Sequence, residues 1–347
     1  MTKHNMKVPK MRKFLISTLA LAILGTTSIK AISDEVNVYS YRQPELIQPL
    51  LDQFSKETGI AVNIAFLNKG MVEKLTAEGK RSPADLVLTS DMSSLAAVVN
   101  AGVIQPVASG VLVANIPAEY RDPQNMWFGL TSRARVVYAS KDRVKPGEIT
   151  TYEQLSDPKW KGRICIRSGT HPYNLALFAS YIAHHGEAAT KTWLEALRDN
   201  LAQKPQGNDR GQVKAVWAGV CDIALGNTYY MGEMLKSPEQ AEWANAVNIV
   251  FPSFEGGGTH INISGMAMTA AAPNKVNALK LMEFLSSAEA QSIYAEVNYE
   301  YPVLPGAKQS DLVASWGEFT PDIIDLMNVA SNRDAALKLV EQVHFDN

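Results

Sequence analysis

Strand-like and helix-like segments alternate along this 347-residue chain, and the alternation starts twice. The first series opens with the strand-like run VNVYSY, and Pro44 then begins an amphipathic helix that Gly59 is placed to end. The strand-like run IAVNIAFL, a short helix over 71–78 and the strand-like run ADLVLTS follow. Such β-α-β-α alternation predicts an α/β fold, with helices on the faces of a mostly parallel sheet.

The second series begins at the strand-like run WFGLTSRARVVYAS and continues through GRICIRSG, a helical region over 174–202 and CDIALGN. A further strand, HINISGMAMT, precedes a mostly helical C-terminal part. Two α/β units without a flexible linker predict two lobes joined by crossing strands, with a ligand cleft between them. The predicted ranges are 32–125 for the first part of lobe 1, 126–257 for lobe 2, 258–310 for the return to lobe 1 and 311–347 for C-terminal helices.

The N-terminal 31 residues have the layout of a cleaved secretory signal peptide. Six basic and no acidic residues fall within this range, and an apolar run from Phe14 to Gly25 follows the basic start. The run is too short for the roughly 20 helical residues that span a bilayer. An uncleaved anchor is the alternative, and Ala31 marks the region of the cleavage site. We therefore expect an exported, periplasmic protein.

Removal of the signal peptide would change the charge of the chain. The full chain has a net charge of −2, so losing the six basic residues leaves the mature chain near −8. An acidic exported protein is a poor candidate for nucleic-acid binding. The chain holds two cysteines, Cys165 and Cys221. An even count in an exported protein predicts a disulfide, with two buried free thiols as the alternative.

Tyrosines follow two of the predicted strands of the second series. Tyr229 and Tyr230 come directly after CDIALGN, and Tyr173 comes after GRICIRSG at the start of a helix. Adjacent residues of a strand point to opposite faces, so the tyrosine pair can reach one centre only where the strand has ended. Three phenolates would suit a hard trivalent cation and would balance the charge of Fe³⁺. The alternative is that these side chains pack in the core or stack on an organic ligand.

Anion-binding features occur in both series. Tyr41, Arg42 and Gln43 lie between the first strand and the first helix, whose N-terminus would attract an anion. Arg133 and Arg135 are two residues apart on a predicted strand and therefore share a face. Surface salt bridges are the alternative for these arginines. Nucleophile-elbow, zinc-protease, phosphate-loop and dinucleotide-binding motifs are missing from the sequence, so we expect no catalytic residues and no enzyme activity.

Several segments in order resemble the periplasmic ferric-ion-binding proteins of bacterial ABC iron uptake systems. They include VNVYSYRQPELI, SPADLVLTSD, RSGTHPYNLALF and GNDRGQVKAVWAGVCDIALGNTYYMG, and the resemblance covers nearly all of the chain beyond the signal peptide. It implies a bilobal type II periplasmic binding protein fold, in which two mixed-sheet lobes meet at a hinge and an inter-lobe cleft.

The resemblance also implies a function and a ligand set. It assigns Tyr173, Tyr229 and Tyr230 to Fe³⁺, and Arg133 with the Tyr41 segment to a carbonate-like anion. Delivery to an inner-membrane ABC permease and its ATPase follows from the same family, and we expect a monomer. An organic-solute-binding protein of the same fold, for polyamines, sugars or thiamine, is the alternative.

One segment departs from part of the family. Some relatives carry a His-Tyr pair after the first strand, and here Gln43 and Pro44 occupy those places. A histidine ligand from the first lobe is therefore not expected. Tyr41 is left as a candidate for a fourth phenolate, with an anion and solvent as the other possibility for this lobe.

Overall fold

The structure, a computed structural model, describes residues 1–2 and 34–347. The predicted signal peptide therefore lies, apart from its first two residues, outside the described part of the chain. The strands are β1 (Glu35–Ser40), β2 (Ala61–Phe66), β3 (Leu86–Thr89), β4 (Ile104–Gln105), β5 (Phe128–Ser140), β6 (Ile164–Cys165), β7 (Ile223–Asn227), β8 (Val247–Val250), β9 (Ile261–Thr269) and β10 (Tyr301–Pro302).

Helices occupy most of the connections between these strands and the C-terminal part. They are α1 (Pro44–Thr58), α2 (Met71–Glu78), α3 (Met92–Asn100), α4 (Gly110–Asn115), α5 (Pro172–Asp199), α6 (Asp209–Trp217), α7 (Tyr229–Lys236), α8 (Ala241–Asn245), α9 (Lys275–Leu285), α10 (Ala288–Asn298), α11 (Asp311–Ala314), α12 (Leu326–Ser331) and α13 (Arg333–Gln342). Helix α5 is interrupted at Gly186, whose φ of 79° is not helical. None of the helices in the described ranges combines the length and apolar character needed to cross a membrane.

Helix α1 shows how the sequence pattern becomes structure. Its apolar residues recur at intervals of one, three and four positions, which places them on one face, and that face is buried: Ile47, Leu50, Leu51 and Phe54. Pro44 occupies the first turn, where a missing backbone N–H costs no helical hydrogen bond. The helix ends before Gly59, as the sequence predicted.

The sheet is mixed. Its strands run in the order β2-β1-β3-β9-β5-β7-β6, with β4, β8 and β10 paired alongside. The strands of the β-α-β units pair in parallel, as predicted: β1 pairs with β2, β1 with β3, and β6 with β7. The prediction of a mostly parallel sheet is wrong, because β9 and β5 run antiparallel to their neighbours.

Strand β5 links the two halves of this sheet. Its first part, Phe128–Ala134, pairs with β9, and β10 pairs with it at Thr131 and Ser132. From Arg135 onward its partners are β7 and β8. Every residue of β5 is buried. One continuous strand thus belongs to both halves, which agrees with lobes joined by a crossing strand.

Each half of the sheet carries an apolar layer on both faces. In the half that contains β1–β3, Leu86 and Leu88 pack into the core cluster on one face of the sheet, and Val87 packs into the cluster on the other face. In the other half, Val137 of β5 faces α5 and α13, and Tyr138 faces α6 and α7. Alternate strand residues point to opposite faces, so each half is a helix-sheet-helix sandwich. The architecture is the two-lobed α/β fold that was predicted, and the residue limits of the lobes stay a prediction.

The two cysteines form a disulfide, as predicted. Cys165 ends β6 and Cys221 lies two residues before β7, and their Cα atoms are 5.9 Å apart. The bridge joins residues 56 positions apart in the sequence. It ties together the two parallel strands that lead to the predicted tyrosine positions.

Replacing both cysteines by serine should destabilise the fold without changing the sheet. Closing a loop of this length contributes about 4 kcal/mol to the free energy of unfolding in the chain-entropy model. Urea unfolding of the double variant, beside oxidised and reduced wild type, measures the difference. Reduced wild type should behave like the variant, and equal midpoints for all three samples would contradict a stabilising disulfide.

Candidate metal centre

The three tyrosines of the second series lie at the first turns of two neighbouring helices. Tyr173 is the second residue of α5, which follows β6, and Tyr229 and Tyr230 open α7, which follows β7. Because β6 and β7 are parallel neighbours, both helices begin at the same edge of the sheet. Strand β7 ends at Asn227, so the tyrosine pair has left the strand, as the prediction required.

The structure brings these three phenols together. The Tyr229 hydroxyl donates a hydrogen bond to the Tyr173 hydroxyl at 3.1 Å. The ring centroids of Tyr229 and Tyr230 are 4.3 Å apart, and the Tyr230 phenol interacts electrostatically with Tyr173. All three side chains are partly buried. The result is a cluster of three phenols whose side chains are not fully buried.

Burial and mutual proximity keep two of these phenols protonated. Burial raises the pKa of the Tyr229 phenol well above its ordinary value, and the Tyr173 and Tyr230 phenols raise it further. Burial likewise raises the pKa of Tyr230, with Tyr173 and Asp209 adding to the effect. In the opposite direction, the charge of Arg133 lowers the pKa of Tyr229, and the hydrogen bond with Tyr229 lowers that of Tyr230. A metal ion that binds these tyrosines as phenolates therefore has to displace their protons.

Arg133 is the least satisfied charged group near the cluster. It is buried, with 3% of its surface exposed, and its Nη2 donates to the Ser90 carbonyl oxygen. Its Nε and Nη1 have no hydrogen-bond partner among the described residues. Arg133 also lines a narrow cavity beside the tyrosines; the side chains around it are Arg133, Arg135, Tyr173, Asn227, His260 and Asn262. Two unpaired N–H groups at such a cavity can bind an anion.

Arg135 has a different environment, although it shares the cavity. Its Nη1 forms a buried ion pair with Asp209 at 2.6 Å and also reaches the Asn227 side chain at 3.1 Å. Its Nη2 donates to the Asn174 side-chain oxygen at 2.6 Å. Its guanidinium lies 5.9 Å from the centre of the Tyr173 ring. Arg135 therefore supports the helix starts that carry the tyrosines, and its charge is already shared with Asp209.

The candidates of the first series lie apart from this cluster. Within residues 34–347, no hydrogen bond or ring contact joins Tyr41 to the three tyrosines, and its hydroxyl accepts the Met71 amide at 2.8 Å. Arg42 is paired with Glu300 at 2.5 Å, and both side chains are about 5% exposed. Gln43 is exposed at the N-terminal cap of α1, where its side chain makes no capping bond. The ligand and anion roles of these three residues stay predictions.

Sequence reasoning missed the polar residues beneath the tyrosines. Asp209 is fully buried and binds both Arg135 and Arg167, and Arg167 lies 5.3 Å from the centre of the Tyr173 ring. Asn174 is adjacent to Tyr173 in the sequence, and this adjacency was the one signal that could have found it. His171 caps α5 by accepting the Tyr173 amide at 3.2 Å, and burial lowers its pKa to about 4. His171 is therefore neutral at pH 7.

The tyrosines are the clearest candidate metal ligands in the described part of the chain. Among residues 1–2 and 34–347, no group of three or more His, Cys, Asp or Glu side chains is placed to hold a metal ion. Phenol oxygens are hard donors once deprotonated, and hard trivalent cations prefer such ligands. The helix N-termini of α5 and α7 add positive potential where phenolates would form.

Comparison with known proteins identifies the family of this chain. Residues 81–318 match the family model described as bacterial extracellular solute-binding protein. Iron uptake protein A1 of Synechocystis is 44% identical over 311 residues, which are 89% of this chain and 86% of that protein.

Two solved structures share the whole architecture. Ferric iron-binding protein A of Mannheimia haemolytica, solved in an open conformation, is 53% identical with a TM-score of 0.86. A Trichodesmium protein solved in complex with iron and citrate ligands is 41% identical with a TM-score of 0.85. Each match covers 90% of this chain and 99% of the solved one. The fold is the type II periplasmic binding protein fold, and the chain belongs to the bacterial extracellular solute-binding proteins, in the group of the periplasmic ferric-ion-binding proteins.

Proposed function

We propose that this protein captures ferric iron in the periplasm through the phenolates of Tyr173, Tyr229 and Tyr230. The observation that carries the proposal is the convergence of three phenols at two helix starts, with the Tyr229 and Tyr173 hydroxyls 3.1 Å apart. Three phenolates would balance the charge of Fe³⁺. The names of the relatives from Synechocystis and Mannheimia haemolytica support the same cargo.

The surroundings of the tyrosines favour the anionic ligands that Fe³⁺ requires. Arg133, Arg135 and Arg167 supply positive charge beside or beneath the rings. The N-termini of α5 and α7 contribute further positive potential, because the phenols occupy their first turns. Without the metal, burial keeps the Tyr229 and Tyr230 phenols protonated, so the ion itself drives deprotonation.

An anion completes the proposed site at Arg133. Its Nε and Nη1, which have no partner among the described residues, can donate to the oxygen atoms of a small carboxylate or carbonate. Arg135 is held by Asp209 and would act on the anion only through its field. The Trichodesmium relative was solved with iron and citrate, which supports an oxyanion beside the metal.

We assign the other lobe to closure over the bound ion. The segment Tyr41–Gln43 and the start of α1 belong to the half of the sheet built on β1, and Tyr41 is the phenol of that half proposed to meet the ion. Closure would present both lobes together to an inner-membrane ABC permease with its ATPase, so that binding and delivery are coupled. Release follows protonation of the phenolates, loss of the anion or reduction to Fe²⁺, each of which weakens attraction between the ion and its ligands.

The visible spectrum tests the metal ligands directly. Addition of ferric citrate to the purified mature protein should produce a red-orange band from tyrosinate-to-iron charge transfer. Tyr229→Phe and Tyr173→Phe should lose or shift the band, because each removes one ligand oxygen. Tyr120→Phe, a partly buried tyrosine of the other half, is the matched control and should keep it. A colourless wild type that retains no iron after desalting would favour an organic solute as the cargo.

Iron binding should release protons and weaken as the pH falls. The raised pKa values of Tyr229 and Tyr230 keep these metal-free phenols protonated at neutral pH, and each phenol that becomes a phenolate ligand gives up one proton. Up to three protons per iron should appear, measured with a pH indicator in weakly buffered solution. Iron affinity from competition with a chelator should rise between pH 5 and 8. Proton release equal in wild type and Tyr229→Phe would contradict the assignment.

Arg133→Gln should weaken iron retention in the presence of citrate or bicarbonate, because it removes the charge and the unpartnered N–H donors. Loss of such a supporting group typically costs about 10- to 100-fold in metal affinity. Arg81→Gln removes an exposed arginine of the same charge and should leave retention unchanged. The readout is the rate of iron transfer to an excess chelator at several anion concentrations. Identical anion dependence in the Arg133 variant and wild type would remove Arg133 from the site.

A further inference from the structure

Tyr299 is a buried aromatic residue that the proposed binding mechanism does not use. It is 5% exposed and follows the last residue of α10, where its φ of 56° places it in the left-handed region. Residues other than glycine adopt this conformation at a cost in free energy, and they persist in it only where the surroundings hold them. The position of Tyr299 is therefore imposed by its neighbours.

Those neighbours belong to the half of the sheet built on β1. Asn298 donates from its side chain to the Leu46 carbonyl oxygen of α1 at 3.3 Å. On the other side, Glu300 is locked to Arg42 and accepts a hydrogen bond from Thr131 at 2.6 Å. These bonds are buried or partly buried, so both residues flanking Tyr299 are fixed, and its ring projects from a rigid support.

The ring rests on Gly232 of helix α7. A Cβ atom built on Gly232 would lie 2.7 Å from Cδ1 of Tyr299, and closer still to two other ring atoms. No side chain other than hydrogen fits between the helix and the ring. Lys236, one turn further along α7, holds its Nζ 4.7 Å from the centre of the same ring. The Tyr299 ring thus packs directly against the backbone of α7 at residue 232, and this contact, called the seat below, requires glycine there.

The same helix carries the candidate iron ligands in its first turn. Gly232 lies two residues after Tyr230 and three after Tyr229. Tyr229 also packs against the apolar cluster formed by Tyr299, Tyr301 and Val313. A shift of α7 away from Tyr299 would therefore move both phenols relative to Tyr173, which is carried by a different helix.

We infer that Tyr299 is a positioning residue for the iron site, acting through its seat on Gly232. It sets the placement of α7 against the half of the sheet built on β1, so that Tyr229 and Tyr230 converge with Tyr173. The inference rests on the proposed function, because it concerns the geometry of that site. Tyr299 itself contributes no ligand.

Gly232→Ala tests the seat with one added methyl group. Alanine favours a helix more than glycine does, so a loss of binding in this variant would not come from a weaker helix. Gly211→Ala is the matched control, because Gly211 lies in α6 and an added Cβ there meets only ordinary contacts. We expect Gly232→Ala to release iron to a chelator about 10- to 100-fold faster, as for other residues that orient metal ligands, and to shift the charge-transfer band. Gly211→Ala should match wild type.

Variants at Tyr299 test whether the effect on iron binding comes from the aromatic ring or from a loss of folding. Tyr299→Ala should also speed release and shift the band, whereas Tyr299→Phe keeps the ring and should match wild type. In the double variant Gly232→Ala/Tyr299→Ala the added methyl has no ring to displace, so release should be no faster than in Tyr299→Ala alone. If Gly232→Ala does not fold, the Tyr299→Ala and Tyr299→Phe pair decides the matter.

Three results would overturn the inference, and the first two concern the band and the release rates. One is a wild-type band and release rate in Gly232→Ala or in Tyr299→Ala; the other is a double variant whose loss is the sum of the single losses. Melting temperatures of the metal-free variants show whether an effect is confined to the site, and a change in release rate that only follows a fall in melting temperature would also count against positioning. A wild type without any tyrosinate band would instead contradict the proposed function.

Discussion

The buried ion pair between Arg135 and Asp209 is the interaction on which the candidate site depends. The two side chains are 2% and 0% exposed, so each would lose much of its hydration energy without compensation. Compensation comes from further partners: Asp209 also accepts from Arg167 and from the Asn227 amide, and Arg135 donates to Asn174. Removal of one member of such a buried pair typically costs about 3–5 kcal/mol.

This network joins four elements at one point. Arg135 belongs to β5, Asp209 to α6, Asn174 to α5 and Asn227 to the end of β7. The two helices that carry the tyrosines therefore start from positions set by the same group of charges. Opposing effects then meet at the phenols, since burial favours the protonated form while the arginines and helix N-termini favour the phenolate. The buried phenols Tyr229 and Tyr230 carry no charge until a strongly positive ion displaces their protons.

Local features were predictable from the sequence, and distant pairings were not. The position of Tyr173 and the Tyr229–Tyr230 pair after strands followed from strand and turn patterns within a few residues. The pair of Arg135 with Asp209 spans 74 residues and that of Arg42 with Glu300 spans 258. In the sequence, each of these four residues looks like an ordinary charged surface residue. The sequence of β5 does not show that its two parts pair with different strands. Every residue of the strand is buried, so no alternation of polar and apolar residues marks the change.

That change of partners has a mechanical consequence for β5. The ladder with β9 ends at Ala134, and the ladder with β7 begins at Arg135. The peptide between these residues is hydrogen-bonded on both sides: the Ala134 carbonyl oxygen accepts from the Thr228 amide at 3.1 Å, and the Arg135 amide donates to the His260 carbonyl oxygen at 3.0 Å. Arg133 and Arg135 stand on either side of that point. A rotation between the two halves of the sheet would therefore turn the guanidinium of Arg133 relative to that of Arg135, which Asp209 holds, and would change the electric field at the tyrosines.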